Sequence, residues 1–98
     1  MNKPPWRDSM FDGATFIGPL MRATGGDEPP EFYWSNYFHD KGYYEKIRPR
    51  SEVDWDFYAS MITAAEACPD PKRRSALLRK AKLRYAVVRK VGWLWWHT

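Results

Sequence analysis

The sequence predicts a mainly α-helical domain of about three helices behind an irregular, Gly/Pro-rich N-terminal region with room for one short strand or hairpin. Three observations carry this expectation. Chain breakers crowd the first thirty residues, apolar residues recur at helical spacing beyond them, and prolines or a glycine stand where each helical pattern stops.

Residues 1–30 hold Pro4, Pro5, Gly13, Gly18, Pro19, Gly25, Gly26, Pro29 and Pro30, a density that argues for loops and turns. Ala14 to Met21 is the one apolar stretch among them, a strand or a buried turn. A helix is expected from Glu31 to about Tyr44, since it follows a proline pair and opens with an acid that complements the helix dipole. Its spacing places Asn36, His39 and Asp40 on one face; Gly42 weakens it.

Ser51 is the expected N-cap of a second helix, Glu52 to Ala67, with Asp54 where a capping-box acid would sit. Val53, Phe57, Met61, Ala64 and Ala65 repeat at helical spacing along it, and Pro69-Asp70-Pro71 stops it. Asp54 then lies beside an apolar face, where a carboxylate needs a partner to offset its desolvation. A third helix from Lys72 to about Val91 carries the stripe Leu77, Leu78, Ala81, Tyr85 and Val88. Arg79, Lys82, Arg89 and Lys90 fall on its opposite side, and Gly92 ends it.

The 98 residues fit one domain, 1–98, with 1–30 as its loop-rich part and 31–98 as a helical core with a basic C-terminal helix. Hydrophobic residues make up 44% and aromatics 17%, enough for a core and for some exposed aromatic surface. The single cysteine, Cys68, rules out an internal disulfide framework. There is no signal-peptide pattern and no run of about 18 apolar residues, so a soluble protein made in the cytoplasm is expected.

The net charge of +4 conceals an asymmetry. Residues 72–98 carry nine basic residues and no acidic one, whereas the rest carries seven basic and twelve acidic residues. Either the basic helix lies against its own acidic body or it meets a polyanion or an anionic membrane surface.

His39-Asp40 and Asp54, fifteen residues on, form the most informative constellation. Two antiparallel helices joined by a turn would bring Asp54 against the His39 ring. A carboxylate on one imidazole nitrogen fixes the tautomer and leaves the other to take a proton from water. Asp40 points elsewhere and suits a hard cation; calcium would need further oxygens, such as loop carbonyls around residues 13–26. The bland reading is a buried structural His–Asp pair. With only two histidines and no C-x-x-C, G-x-S-x-G, Walker or H-E-x-x-H pattern, a His-rich transition-metal site and the common nucleophile motifs are excluded.

The order Asp12-Gly13-Ala14-Thr15 with Pro19 nearby, His39-Asp40-x-x-Tyr43, and Arg50-Ser51-Glu52-Val53-Asp54-x-x-Phe57 resembles a widespread phage and prophage family. That family is a domain of unknown function of about this length, with D-G-A-S-x-P, H-D-x-x-Y and S-R-x-x-A-D-x-x-F motifs and a basic-apolar C-terminal helix. This chain has Thr15 for Ser, Pro19 displaced, Val53 for Ala, and Arg50 before Ser51 rather than an Arg after it. The His and Asp motifs are also similar to the core of secretory phospholipase A-two enzymes. That resemblance implies His39 as general base, Asp40 as calcium ligand, Asp54 as the carboxylate orienting His39, and Tyr43 supporting the network. The chain departs from those enzymes in having one cysteine and no aromatic-Gly-x-Gly calcium loop before the His helix.

The expected function is that of a phage-encoded small protein with a His-Asp hydrolase-like centre, a virion (tail) or accessory component acting at the host cell envelope and carried into the virion. The alternative is an active calcium-dependent lipid-ester hydrolase. A weaker alternative is a module binding nucleic acid or a host protein. Asp12 and Thr15 are expected either to reach the His39 centre or to form an Asp-Gly turn. Trp93, Trp95 and Trp96 are expected as an interface for other phage proteins or self-association.

Overall fold

A computed structural model describes residues 29–96. A 3-10 turn, Pro30–Phe32, leads into α1, Tyr33–Glu45. Helices α2, Arg50–Glu66, and α3, Pro71–Val91, follow, and a short terminal turn of helix, α4, spans Trp93–Trp96. The described region is thus mainly helical with three principal helices, as expected, and contains no strand. The stretch Ala14 to Met21, together with Asp12 and Thr15, lies outside the described residues.

Helix α2 is the middle element, packed against α1 on one side and against α3 on the other. Phe32, Tyr43, Val53, Phe57, Met61, Ala65, Leu77, Ala81 and Val88 form one core cluster. Helices α2 and α3 each contribute an apolar stripe to this interior, whereas α1 adds Tyr43 and otherwise buries mainly polar side chains, among them Ser35, Asn36, His39 and Asp40.

Gly42, which weakens α1 by propensity, has a packing reason. A Cβ there would stand 2.7 Å from Val53 Cγ1, so the missing side chain lets α1 approach α2 closely. Ser35 and Ser60, both small, bridge the same two helices by a 2.8 Å hydroxyl contact. Lys46 closes α1 in the left-handed region (φ 54°), its amide donating to the Gly42 carbonyl at 2.9 Å.

The start of α2 differs from expectation. Pro49, not Ser51, takes the cap position, and its carbonyl accepts from the amides of Glu52 (3.0 Å) and Val53 (3.2 Å). Ser51 is exposed within the first turn, and Asp54 is no capping acid. The reason is tertiary: the Arg50 side chain, paired with Asp54 on its own helix, is held by the Val88 carbonyl of α3, and the helix starts two residues earlier.

Helix α3 starts at a regular cap, the Asp70 side chain accepting from the Lys72 amide at 3.1 Å with Pro71 in the first turn. Gly92 follows it without leaving helical dihedrals (φ −59°, ψ −25°), so α4 continues from α3 rather than turning away. A Cβ on Gly92 would collide with the Tyr43 hydroxyl and the Val88 carbonyl. No helix among the described residues is long and apolar enough to cross a membrane.

Candidate functional site

Helix α1 places His39 and Tyr43 four residues apart, one above the other on its inner face. Helix α2 does the same with Arg50 and Asp54, with Phe57 one turn further on. Helix α3 adds Arg89 and the carbonyl of Val88 near its end. All of them converge on the Asp54 carboxylate, which is fully buried.

One carboxylate oxygen, Oδ1, pairs with His39 Nε2 at 2.8 Å and accepts from the Tyr43 hydroxyl at 2.6 Å. The other, Oδ2, accepts from Arg50 at 3.2 Å and from Arg89 at 2.9 Å. The same Arg50 nitrogen also donates to the Val88 carbonyl at 3.0 Å. Four side chains from three helices thus meet on one carboxyl group, in charge-assisted hydrogen bonds of the stronger kind. The imidazole lies between two rings, with centroids 4.4 Å from Tyr43 and 4.3 Å from Phe57. Trp96 of α4 meets Tyr43 edge-on at 5.1 Å and so closes the end of the cluster.

The protonation states follow. Burial alone would raise the pKa of Asp54, but the donors from His39, Tyr43 and Arg89 outweigh it and hold the carboxyl below its usual range. Burial also pushes His39 below its ordinary value; the Asp54 carboxylate opposes this and nearby Arg50 adds to it. The Tyr43 hydroxyl is pushed above its usual range, first by burial and then by Asp54. Asp54 is therefore ionised and His39 neutral at pH 7. A carboxylate only accepts hydrogen bonds, so Nε2 carries the imidazole proton and the basic lone pair is on Nδ1.

His39 also lines a groove of about 690 Å³ between α1 and α2. Trp34, Phe38, Val53 and Phe57 give it an apolar lining, and Arg48 and Lys41 stand among the residues along it. No residue of α3 lines it.

Of the residues expected at the site, His39, Tyr43 and Asp54 are brought together. Asp40, one residue along α1, is buried and outside the Asp54 cluster. Calcium takes about 6–8 oxygen ligands. Among the described residues no group of three His, Cys, Asp or Glu side chains gathers at Asp40 or elsewhere. Of the expected interface tryptophans, Trp93 is exposed, Trp96 is half-buried against Tyr43, and the side chain of Trp95 lies outside what the structure describes.

Two arginines stand where their sequence positions do not at once announce them. Arg89, expected on the outward side of the third helix, turns its guanidinium in to Asp54. Arg84 is 1% exposed, with its guanidinium 5.5 Å from the Phe32 ring. The signal for Arg84 was present, since it sits between Ala81 and Val88 at offsets of three and four within the apolar stripe. Arg50 was legible too, as an Arg–Asp pair at i, i+4. The basic helix thus does lie partly against its own acidic body, through Arg89–Asp54 and a two-pronged Arg73–Glu31 pair that holds Glu31 down at about 2. No family model matches the chain, and no curated protein and no solved structure matches it either.

Proposed function

We propose that the protein is a small phage-type component, virion-borne or accessory, acting at the host cell envelope through a hydrolase-like centre at His39, with a lipid ester as the substrate class. One observation carries the catalytic part of the reading: a neutral histidine, its Nε2–H bonded to an ionised carboxylate, lies on the wall of an apolar groove. The groove's lining by Trp34, Phe38, Val53 and Phe57 suits an acyl chain. The phage context rests on the order and spacing of the sequence motifs.

In this reading, the His39 side chain, buried in the resting structure, is reached by a water admitted through the groove, and Nδ1 takes a proton from that water as its oxygen attacks the ester carbonyl. The imidazolium then returns that proton to the leaving alkoxide. Asp54 keeps the ring in the productive tautomer and stabilises the transient charge. Burial, with nearby Arg50 adding to it, holds His39 below its ordinary value, so it is a weaker base than a free imidazole.

The test is ester hydrolysis on mixed phospholipid–detergent micelles by wild type and His39→Gln, with circular dichroism on both. Loss of at least about 100-fold in kcat with the helical spectrum retained is expected for removal of a general base. Turnover that survives the substitution sinks the assignment.

A second reading has its own observation: both oxygens of Asp54 are taken by four donors and the group has no exposure. Such a cluster suits a clamp that holds three helices in register within a non-catalytic interaction module. Wild-type protein with no turnover on any ester, recovered in a defined complex from purified particles, would decide for it.

A further inference from the structure

The outward side of α3 is not used by the centre. Lys72, Arg79, Lys82 and Lys90 are exposed or nearly so along it, and none is in an ion pair among the described residues. At about 100° per residue they fall within roughly 60° of the direction of Arg79. Leu83 shares this direction and is 44% exposed. Because Gly92 keeps helical dihedrals, Trp93 and Leu94 continue on the same side, 51% and 46% exposed. Residues 72–98 contain no acid to neutralise the cations.

We infer that this face is a docking surface for an anionic lipid bilayer. Complementarity selects the occupant. A helix lying in the headgroup plane pairs its cations with lipid phosphates and sinks adjacent Trp and Leu side chains roughly 5–10 Å, to the acyl boundary. An indole is suited to that depth, with an apolar ring and one polar N–H. A nucleic-acid backbone would answer the cations but would desolvate at Leu83, Trp93 and Leu94 without an apolar partner. The spacing of the cations over the 21 residues of α3 spreads the contact along a helix roughly 30 Å long, which a flat surface meets in full. The inference does not depend on turnover at His39, since the groove there is lined by no residue of this helix.

The experiment is co-sedimentation of the full chain with phosphatidylglycerol–phosphatidylcholine vesicles and with phosphatidylcholine vesicles, at low and high salt. Wild type is compared with Lys82→Glu/Lys90→Glu and with Trp93→Ser/Leu94→Ser; thermal melts check that both variants fold. Binding is expected to the anionic vesicles, weakened at least roughly tenfold by the charge reversal and further reduced by salt. The Trp93/Leu94 variant is expected to bind more weakly at every salt concentration. Equal binding to both vesicle types, or variants that bind like wild type, overturns the proposal. So does tighter, salt-dependent binding of the wild type to a DNA duplex than to anionic vesicles, which would make the face a nucleic-acid surface.

Discussion

The two sides of helix α3 carry the same residue types under opposite conditions. On the inner side, Arg84 lies buried over Phe32 and Arg89 reaches the Asp54 carboxylate. On the outer side, Arg79, Lys82 and Lys90 stand in solvent with no ion pair among the described residues. The inner cations are fixed by partners of defined geometry; the outer ones only add to a field. One type of charge thus serves helix registration on one side and long-range attraction on the other, and burial makes the difference.

The comparison breaks most visibly at Asp54. Asp54→Ala strands the Arg50 and Arg89 cations and removes the partner of His39 and Tyr43. A loss of about 3–5 kcal/mol is expected, as for other broken buried pairs, read from the midpoint of urea unfolding. Arg84→Ala comes next, at about 2–5 kcal/mol, because it empties a filled interior position; the same measurement applies. Tyr43→Phe removes one hydrogen bond to a charged acceptor and should cost about 1.5–3 kcal/mol.

Acid tests the same cluster without mutation. His39 has its folded-state value depressed, so its contribution is fully present above the unfolded value near pH 6.5. It is lost as pH falls from there through the lower folded value, at no more than about 1.4 kcal/mol per pH unit for one proton. Asp54, also depressed, adds a further loss below the ordinary carboxylate range. Unfolding midpoints measured from pH 7.5 to 4 should therefore fall steadily below about 6.5, and His39→Gln should remove the first part of that slope. A flat profile in wild type would mean that His39 is not held neutral by burial. The smallest effect belongs to the outer side: Arg79→Ala should stay within about 0.5 kcal/mol of wild type. A larger shift would show that the outer cations have structural partners.

How much of this was legible beforehand varies by residue. The proline pairs and Gly92 located the three helices to within a residue or two, because breakers act locally. The His39–Asp54 pairing followed from two helices and a turn, whereas Tyr43 was expected only through the phospholipase resemblance, although its i, i+4 position puts it on the face of His39. Ser51 misled, because a cap preference worth about 1 kcal/mol yields to a tertiary contact such as that of Arg50 with the Val88 carbonyl. Arg89 misled because a long, flexible side chain can leave the direction its Cα suggests.

By itself, then, the sequence determined the helical class, the helix limits and the charge asymmetry of α3. These depend on periodicity and on residues that act on their own backbone. Only the tertiary structure decided which cations turn inward, that Asp54 is shared by four donors, and that a groove opens beside His39. Those depend on how three helices approach one another. That approach is set by contacts such as Gly42 against Val53 and Gly92 against Tyr43, between residues far apart in the chain.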